Sequence, residues 1–251
     1  LVGVVDDMIA TIVLVLTLLS PLLMAAGYAR RSHLNFAQVL LWMPAAMVTL
    51  FQWNTRLYGR LNGLSTGAIL IANHRSSVDG FFIQMACNKP VGSLVAREYI
   101  EIPVLRHLFR FLGMIPVGRQ GVDTQATKRA IREAASGRLV LMFPEGRLNT
   151  TSDLMQSCRP GAVLVAIRAG VPIVPFYVQD ITFTNTILKP FISRARVQLY
   201  VGEPIDVVKL SQGKTDKQTL GEILQLCLQE IAKLAGEVDW EPQLAGRNWN
   251  H

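Results

Sequence analysis

AILIANHRSSVDGFF, residues 68–82, sets two apolar runs on either side of a polar knot. A short run of apolar residues that stops at Asn73 reads as a buried strand. The apolar spacing that resumes at Phe81 reads as a helix, and the residues between them turn the chain. Ser76-x-x-Asp79 has the capping-box pattern, with an acidic residue suited to a first helical turn. His74 and Asp79 stand five positions apart, about 500° of rotation on a regular helix, so their side chains would diverge by about 140°. They meet only if His74 lies in the loop leaving the strand and Asp79 in the first turn of the next helix. A carboxylate on one imidazole nitrogen then fixes the tautomer and leaves the other nitrogen free as a base. The strand must therefore end at or just before His74, and the helix must begin by Ser77. Taken alone, the stretch is more simply a turn and a cap than a catalytic pair.

Outward from this stretch the alternation repeats. Strand candidates are Ala68–Asn73, Ser93–Arg97, Met114–Val117, Leu139–Phe143, Ile173–Val178 and Arg196–Val201. Helical patterns cover Phe81–Cys87, Val104–Phe111, Thr124–Ala135 and Ala162–Ala169. Such alternation predicts an α/β domain over residues 61–210, with a mixed, largely parallel sheet flanked by helices. Residues 211–251 supply a further helix, Lys217–Ala235, whose apolar stripe packs back on the domain, and an irregular tail. No internal repeat or low-complexity tract is present.

Residues 1–60 differ in kind. Met8–Ala29 and Leu34–Thr55 carry no charged side chain. Each run is roughly 22 residues, about 33 Å as a helix, enough to cross a bilayer. They predict an N-terminal two-helix membrane anchor, with Pro21 and Pro44 kinking or breaking the helices. A spanning hairpin with a cytosolic domain would put Arg30 and Arg31 outside, against the positive-inside rule. A hairpin in one leaflet would bury them or make them snorkel. Helices lying in the interface, with both arginines on lipid phosphates, avoid both problems and are favoured. Trp42, Phe51, Trp53 and Tyr58 suit an interfacial belt, or core packing. A chain that starts at Leu1 is compatible with excision from a longer one, or with trimming.

The net charge of +7 calls for an acidic partner. With two greasy segments, that partner is a phospholipid membrane and not nucleic acid, for which no signature is present. Cys87, Cys158 and Cys227 are odd in number and scattered, as expected of reduced thiols and not of a disulfide or metal framework. No Gly-x-Ser-x-Gly elbow accompanies Ser77 or Cys158, which argues against a hydrolase nucleophile.

Three further segments sit at strand ends: Gly113-Met-Ile-Pro-Val-Gly-Arg119, Phe143-Pro-Glu-Gly-Arg147 and Val171-Pro-Ile-Val-Pro175. With Asn73-His74-x4-Asp79 they resemble, in order, the four blocks of the PlsC-like glycerolipid acyltransferases, also called the lysophospholipid acyltransferase family. The resemblance covers about residues 57–205. It implies His74 as general base on a glycerol hydroxyl and Asp79 as the group that orients it. It implies Arg119 on the acceptor's phosphate, with Glu145, Gly146 and Arg147 lining the same site. Arg159, before a Gly-Ala helix start, could add phosphate attraction. The hydroxyl would attack an acyl thioester of coenzyme A or acyl carrier protein, a co-substrate, with no cofactor, no metal and no acyl-enzyme.

The expected function is acyl transfer to 1-acyl-sn-glycerol-3-phosphate, giving phosphatidic acid, at the cytoplasmic face of the inner membrane. One departure bears on the acceptor. Most of the family's lysophosphatidic-acid enzymes read Glu-Gly-Thr-Arg-Ser, whereas here the arginine comes one position early in Glu145-Gly-Arg-Leu-Asn-Thr-Thr. That variant resembles the branch acting on 2-acyl-glycerophosphoethanolamine, so this lysophospholipid, or glycerol-3-phosphate, is the alternative acceptor. A non-catalytic membrane-binding protein is the rival from another class. The intact His74, Asp79 and Glu145 and both arginines argue against it.

Overall fold

The computed structural model describes residues 13, 15, 19–30, 32–61, 63–118, 123–181 and 193–245. Among these residues seven strands form one sheet: β1 (Arg56–Tyr58), β2 (Ala68–Ala72), β3 (Val91–Ala96), β4 (Ile115–Val117), β5 (Leu139–Met142), β6 (Ile173–Gln179) and β7 (Gln198–Val201). Their order is β1-β7-β6-β2-β5-β3-β4. Every neighbouring pair is parallel except β6–β7. The mixed, largely parallel α/β architecture expected from the sequence is therefore present, and all six strand candidates lie within two residues of their expected ends.

β2 is central and buried at all five positions. Its side chains alternate between two cores, as a pleated strand requires. Ile69 and Ile71 pack with α5 (Thr124–Ala135), α6 (Gly161–Ala169) and α8 (Lys217–Ala235). Ala68, Leu70 and Ala72 pack on the other face with Phe82 and Ile83 of α2 (Asp79–Met85). The approach to β2 is tight: a Cβ on Gly67 would lie 2.1 Å from the Ala134 carbonyl oxygen, so only glycine fits there.

α8 runs over the expected residues, its first turn capped by Asp216 accepting the Thr219 N–H. Beyond it the tail is not wholly irregular. Cys158 donates its N–H to the Gln243 carbonyl (2.8 Å), and Ala245 returns one to the Cys158 carbonyl (2.9 Å).

The N-terminal region departs most from expectation. Residues 19–30 are helical, followed by α1 (Phe36–Met47), which opens on a reciprocal Asn35/Gln38 capping box. Pro44 does not end α1. The helix continues to Met47 and loosens into a π-helical turn, Val48–Gln52. There the buried Thr49 hydroxyl donates back to the Ala45 carbonyl. No helix among the described residues is long and apolar enough to cross a membrane. The second charge-free run leaves the α-helix at this turn and is followed at once by β1, which pairs with β7 and stacks Tyr58 on Tyr200 at 4.6 Å. Residues 56–58 thus belong to the sheet although they precede the expected boundary at 60. Three residues are too few to show a strand pattern; pairing with β7 makes them one.

The aromatic residues assigned to a belt divide. Trp53 is buried edge-on against Phe82, and Trp42 stacks on Phe81. Phe51 is 79% exposed. Leu23, Met24, Phe36, Leu41 and Met47 of the two helices are also exposed.

Leu70, fully buried in the central strand, provides a test of this core. Leu70→Ala should lower the unfolding free energy by about 2–5 kcal/mol, read from the shift of a chemical denaturation midpoint.

Candidate active site

β2 and β5 are parallel neighbours with Ile71 opposite Met142. Both chains therefore leave the sheet at the same end, one as Asn73-His74 and the other as Phe143-Pro144-Glu145. The register lays the His74 ring on Phe143, with centroids 3.7 Å apart and planes 9° from parallel. Asn73, buried, copies a strand residue with its side chain. Its amide donates to the Val178 carbonyl and accepts the Val178 N–H, fixing the strand end against β6.

His74 and Asp79 meet. His74 Nδ1 lies 2.9 Å from Asp79 Oδ2, with the histidine side chain 19% exposed and the aspartate fully buried. The same Oδ2 accepts the backbone N–H of Arg75 (2.8 Å) and of Ser76 (2.9 Å). An oxygen that already accepts two amides takes a third donor, so Nδ1 carries the proton and Nε2 carries the lone pair. Nε2 has no hydrogen-bond partner among the described residues. Asp79 Oδ1 is buried with no donor among the described residues.

The local structure differs in detail from the sequence expectation. The strand ends at Ala72, as required, but α2 begins at Asp79 and not by Ser77, with Val78 at its N-cap and no side-chain cap. Only one half of the capping box forms, Asp79 accepting the Ser76 N–H. A tight turn at Ser77–Val78 does what the earlier helix start was expected to do.

Glu145 has partners that the sequence reading did not foresee. The sequence reading puts it in the acceptor's phosphate site, yet it is 3% exposed and both oxygens serve the backbone. Oε1 accepts the His74 N–H (2.8 Å) and Oε2 the Gln156 N–H (2.8 Å). It is a strut that ties the loop after β2 to two points of the loop after β5. Burial pushes its pKa up to about 7, against the lowering effect of those two amides. Gly146 follows in a left-handed turn (φ +68°) that glycine takes without strain, its N–H on the Phe143 carbonyl.

Arg147 and Arg159 are brought together. Arg147 is exposed, its Nε held by Gln156 Oε1 at 2.7 Å. Arg159 N–H donates to the Pro144 carbonyl. The Arg159 guanidinium is held below its ordinary pKa, first by burial and then by the charge of Arg147. Two neighbouring guanidinium groups on this edge offer an anion a paired cation site. Arg119 lies outside the described residues, two beyond β4.

Four residues unremarked in the sequence complete the site. Asn149 N–H donates to the His74 carbonyl at 2.6 Å. Arg75 donates to the carbonyls of Thr151 and Asp153. Phe143 stacks on the imidazole, and Gln156 joins Glu145 to Arg147. Phe143, Arg75 and Asn149 stood within quoted stretches without a role, and no side-chain pattern announces the partners that the fold gives to them and to Gln156. Cys158 is fully buried, and burial raises its thiol pKa, so it is no nucleophile. A separate cleft of about 830 Å³, lined by Phe51, Gln52, Asn54, Arg194, Ala195 and Arg196, does not include these groups.

A family model described as Acyltransferase matches residues 54–179. The 1-acyl-sn-glycerol-3-phosphate acyltransferase of Borreliella burgdorferi is 28% identical over 166 residues, 64% of this chain and 64% of that protein. The protein of the same name from Streptococcus pneumoniae is 30% identical over 142 residues, 55% of this chain and 50% of that one. That from Salmonella typhimurium is 28% identical over 176 residues, 68% and 69%. Against the first two relatives, the chain spans between half and about two thirds of their length. The crystal structure of a 1-acyl-sn-glycerophosphate (LPA) acyltransferase, PlsC, from Thermotoga maritima superposes with a TM-score of 0.60 at 17% identity. It covers 94% of this chain and 97% of that one, a likeness of fold.

The raised Glu145 pKa has a signed consequence. The folded state holds this proton more tightly than the unfolded chain, so the stability it contributes is complete below about pH 4.5 and is lost as pH rises through about 7. Chemical denaturation across pH 4–8 should show that downward slope in the native protein, and Glu145→Gln should remove it.

Proposed function

The chain belongs to the acyltransferase family, its family match covering residues 54–179, and we propose that it transfers a fatty acyl group from an acyl thioester to the free hydroxyl of 1-acyl-sn-glycerol-3-phosphate, giving phosphatidic acid. The observation that carries this reading is the 2.9 Å contact between His74 Nδ1 and Asp79 Oδ2, which leaves Nε2 as an acceptor at the sheet end. In the proposed reaction Nε2 takes the hydroxyl proton as the oxygen attacks the thioester carbonyl. The C–S bond then breaks and the departing thiolate recovers that proton from the imidazolium. No covalent acyl-enzyme is needed, and holding donor and acceptor together supplies much of the rate. Buried Asp79 keeps the ring oriented and favours its charged form as the proton arrives.

Arg147 and Arg159 are the groups we assign to the acceptor's phosphate among the described residues, with Arg119 a further candidate. The acyl donor, coenzyme A or acyl carrier protein, is a co-substrate, and no cofactor is invoked. The N-terminal helices, with Phe51 and their other exposed apolar side chains, are proposed to rest in the interface of a phospholipid membrane, at its cytoplasmic face. Lysophosphatidic acid is preferred because the relatives compared carry that activity in their names. The position of Arg147, directly after Gly146, supports 2-acylglycerophosphoethanolamine as a second acceptor.

His74→Ala should reduce acyl transfer from labelled acyl-CoA by about 10²–10⁴-fold, and Asp79→Asn should also reduce it strongly, with unfolding curves near those of the native protein for His74→Ala. Unchanged transfer by His74→Ala would remove the assigned base. In a competition between lysophosphatidic acid and lysophosphatidylethanolamine the former should win; the reverse result would assign the second acceptor.

A further inference from the structure

α3 (Arg97–Ile100) and α4 (Pro103–Phe111) connect β3 to β4. In the strand order, β2 to β3 and β3 to β4 both step toward the same sheet edge, whereas β4 to β5 and β5 to β6 step back. Connections between parallel strands are right-handed, so the first two lie on one face and the last two on the other. The cores agree for three of these four connections. α2 packs with Leu70 on one face, and α5 and α6 pack with Ile69 and Ile71 on the other. α4 therefore lies on the face of α2, which α1 also joins through Trp42 and Phe81. Because β3 is parallel to β2 through β5, the chain leaves β3 into α3 at the end that bears His74, and α4 follows on the way back to β4.

α4 is amphipathic yet none of its described side chains is buried. Arg106, His107 and Arg110 are exposed along one side. On the other, Phe111 is exposed and Leu108 and Phe109 are only half-buried; exposed Ile102, at the N-cap, stands one turn before Arg106. α5, by contrast, buries Ala126, Ala130 and Ala134 one turn apart. A helix of a globular domain normally covers its apolar stripe. The charges on α4 itself are all basic, and the nearby acids Glu98 and Glu101 precede it. Apolar side chains beside cations suit the headgroup layer of an anionic bilayer.

We propose that α4 is a second membrane-contact element, seating its apolar stripe and its arginines in an anionic lipid surface on the face already exposed by the N-terminal helices. The inference rests on the membrane reading of those helices and deepens it. With one contact on either side of α2, the sheet end that carries His74 is held against the bilayer. A lysolipid could then reach the imidazole without its acyl chain crossing water.

The test is flotation of the full chain with phosphatidylglycerol–phosphatidylcholine vesicles and with pure phosphatidylcholine vesicles. The variants are Arg106→Glu/Arg110→Glu and Ile102→Ser/Phe111→Ser, all at exposed positions. Thermal unfolding and acyl transfer to a short-chain, water-soluble lysophosphatidic acid serve as controls and should be unchanged. Each basic side chain near an anionic surface contributes about a fivefold gain. The charge reversal should thus weaken binding to the anionic vesicles by at least about tenfold and leave neutral vesicles unaffected. The serine pair should weaken binding to both. Variants that bind like the native chain would overturn the role of α4 while leaving the N-terminal contact standing. A native chain that binds no vesicle would overturn both membrane contacts. Loss of binding by the variants, in a chain without acyl transfer, would support α4 and sink the proposed reaction instead.

Discussion

One oxygen organises the site. Asp79 Oδ2 accepts the imidazole Nδ1 and two successive backbone amides, all within 2.9 Å, at a fully buried position. A buried carboxylate without such donors would be strongly disfavoured, so the turn from His74 to Ser76 has to close around it. That closure gives the imidazole one tautomer and one orientation. It also explains how two residues that would diverge on a helix meet across a turn. The ring's remaining freedom is taken by Phe143, which lies flat against it from the neighbouring strand end.

A second carboxylate extends the same logic between loops. Glu145 holds His74 by its amide and Gln156 by another, so it couples the loop after β2 to the loops after β5. Arg75 and Asn149 add straps from the same turn to residues 149–153. The imidazole is fixed by Asp79, while its backbone is fixed by Glu145. Arg147 and Arg159 then stand on a loop that cannot move independently of the histidine. Preorganisation of this kind brings an imidazole and a pair of guanidinium groups into register.

Much of the fold was legible because the chain uses strong local signals. Apolar runs of four to seven residues gave the strands of the sheet, and the regular spacing of Leu220, Ile223, Leu224, Cys227, Leu228 and Ile231 gave α8. β1 was not legible, since Arg56–Tyr58 becomes a strand only by pairing with β7. The start of α2 was read two residues early because Ser76-x-x-Asp79 fits a capping box, while the buried carboxylate draws the backbone into a turn first. Within the site, Phe143 was visible only as part of a motif. The parts of Arg75, Asn149 and Gln156 could not be seen, because the carbonyls, the carboxylate and the guanidinium they meet are brought to them only by the fold.

The sequence by itself determined which polar groups stand at the strand ends, the order of the motifs there and the α/β class, since these follow from residue type and local periodicity. Tertiary structure decided what each group does. Glu145 reads like a ligand for the acceptor, but burial and two amides make it a strut. Trp53 suits a membrane interface or a core equally in sequence, and packing against Phe82 puts it in the core. The reason is physical: a charged or aromatic side chain carries its chemistry everywhere, while its desolvation and its partners are set by elements far away in the chain.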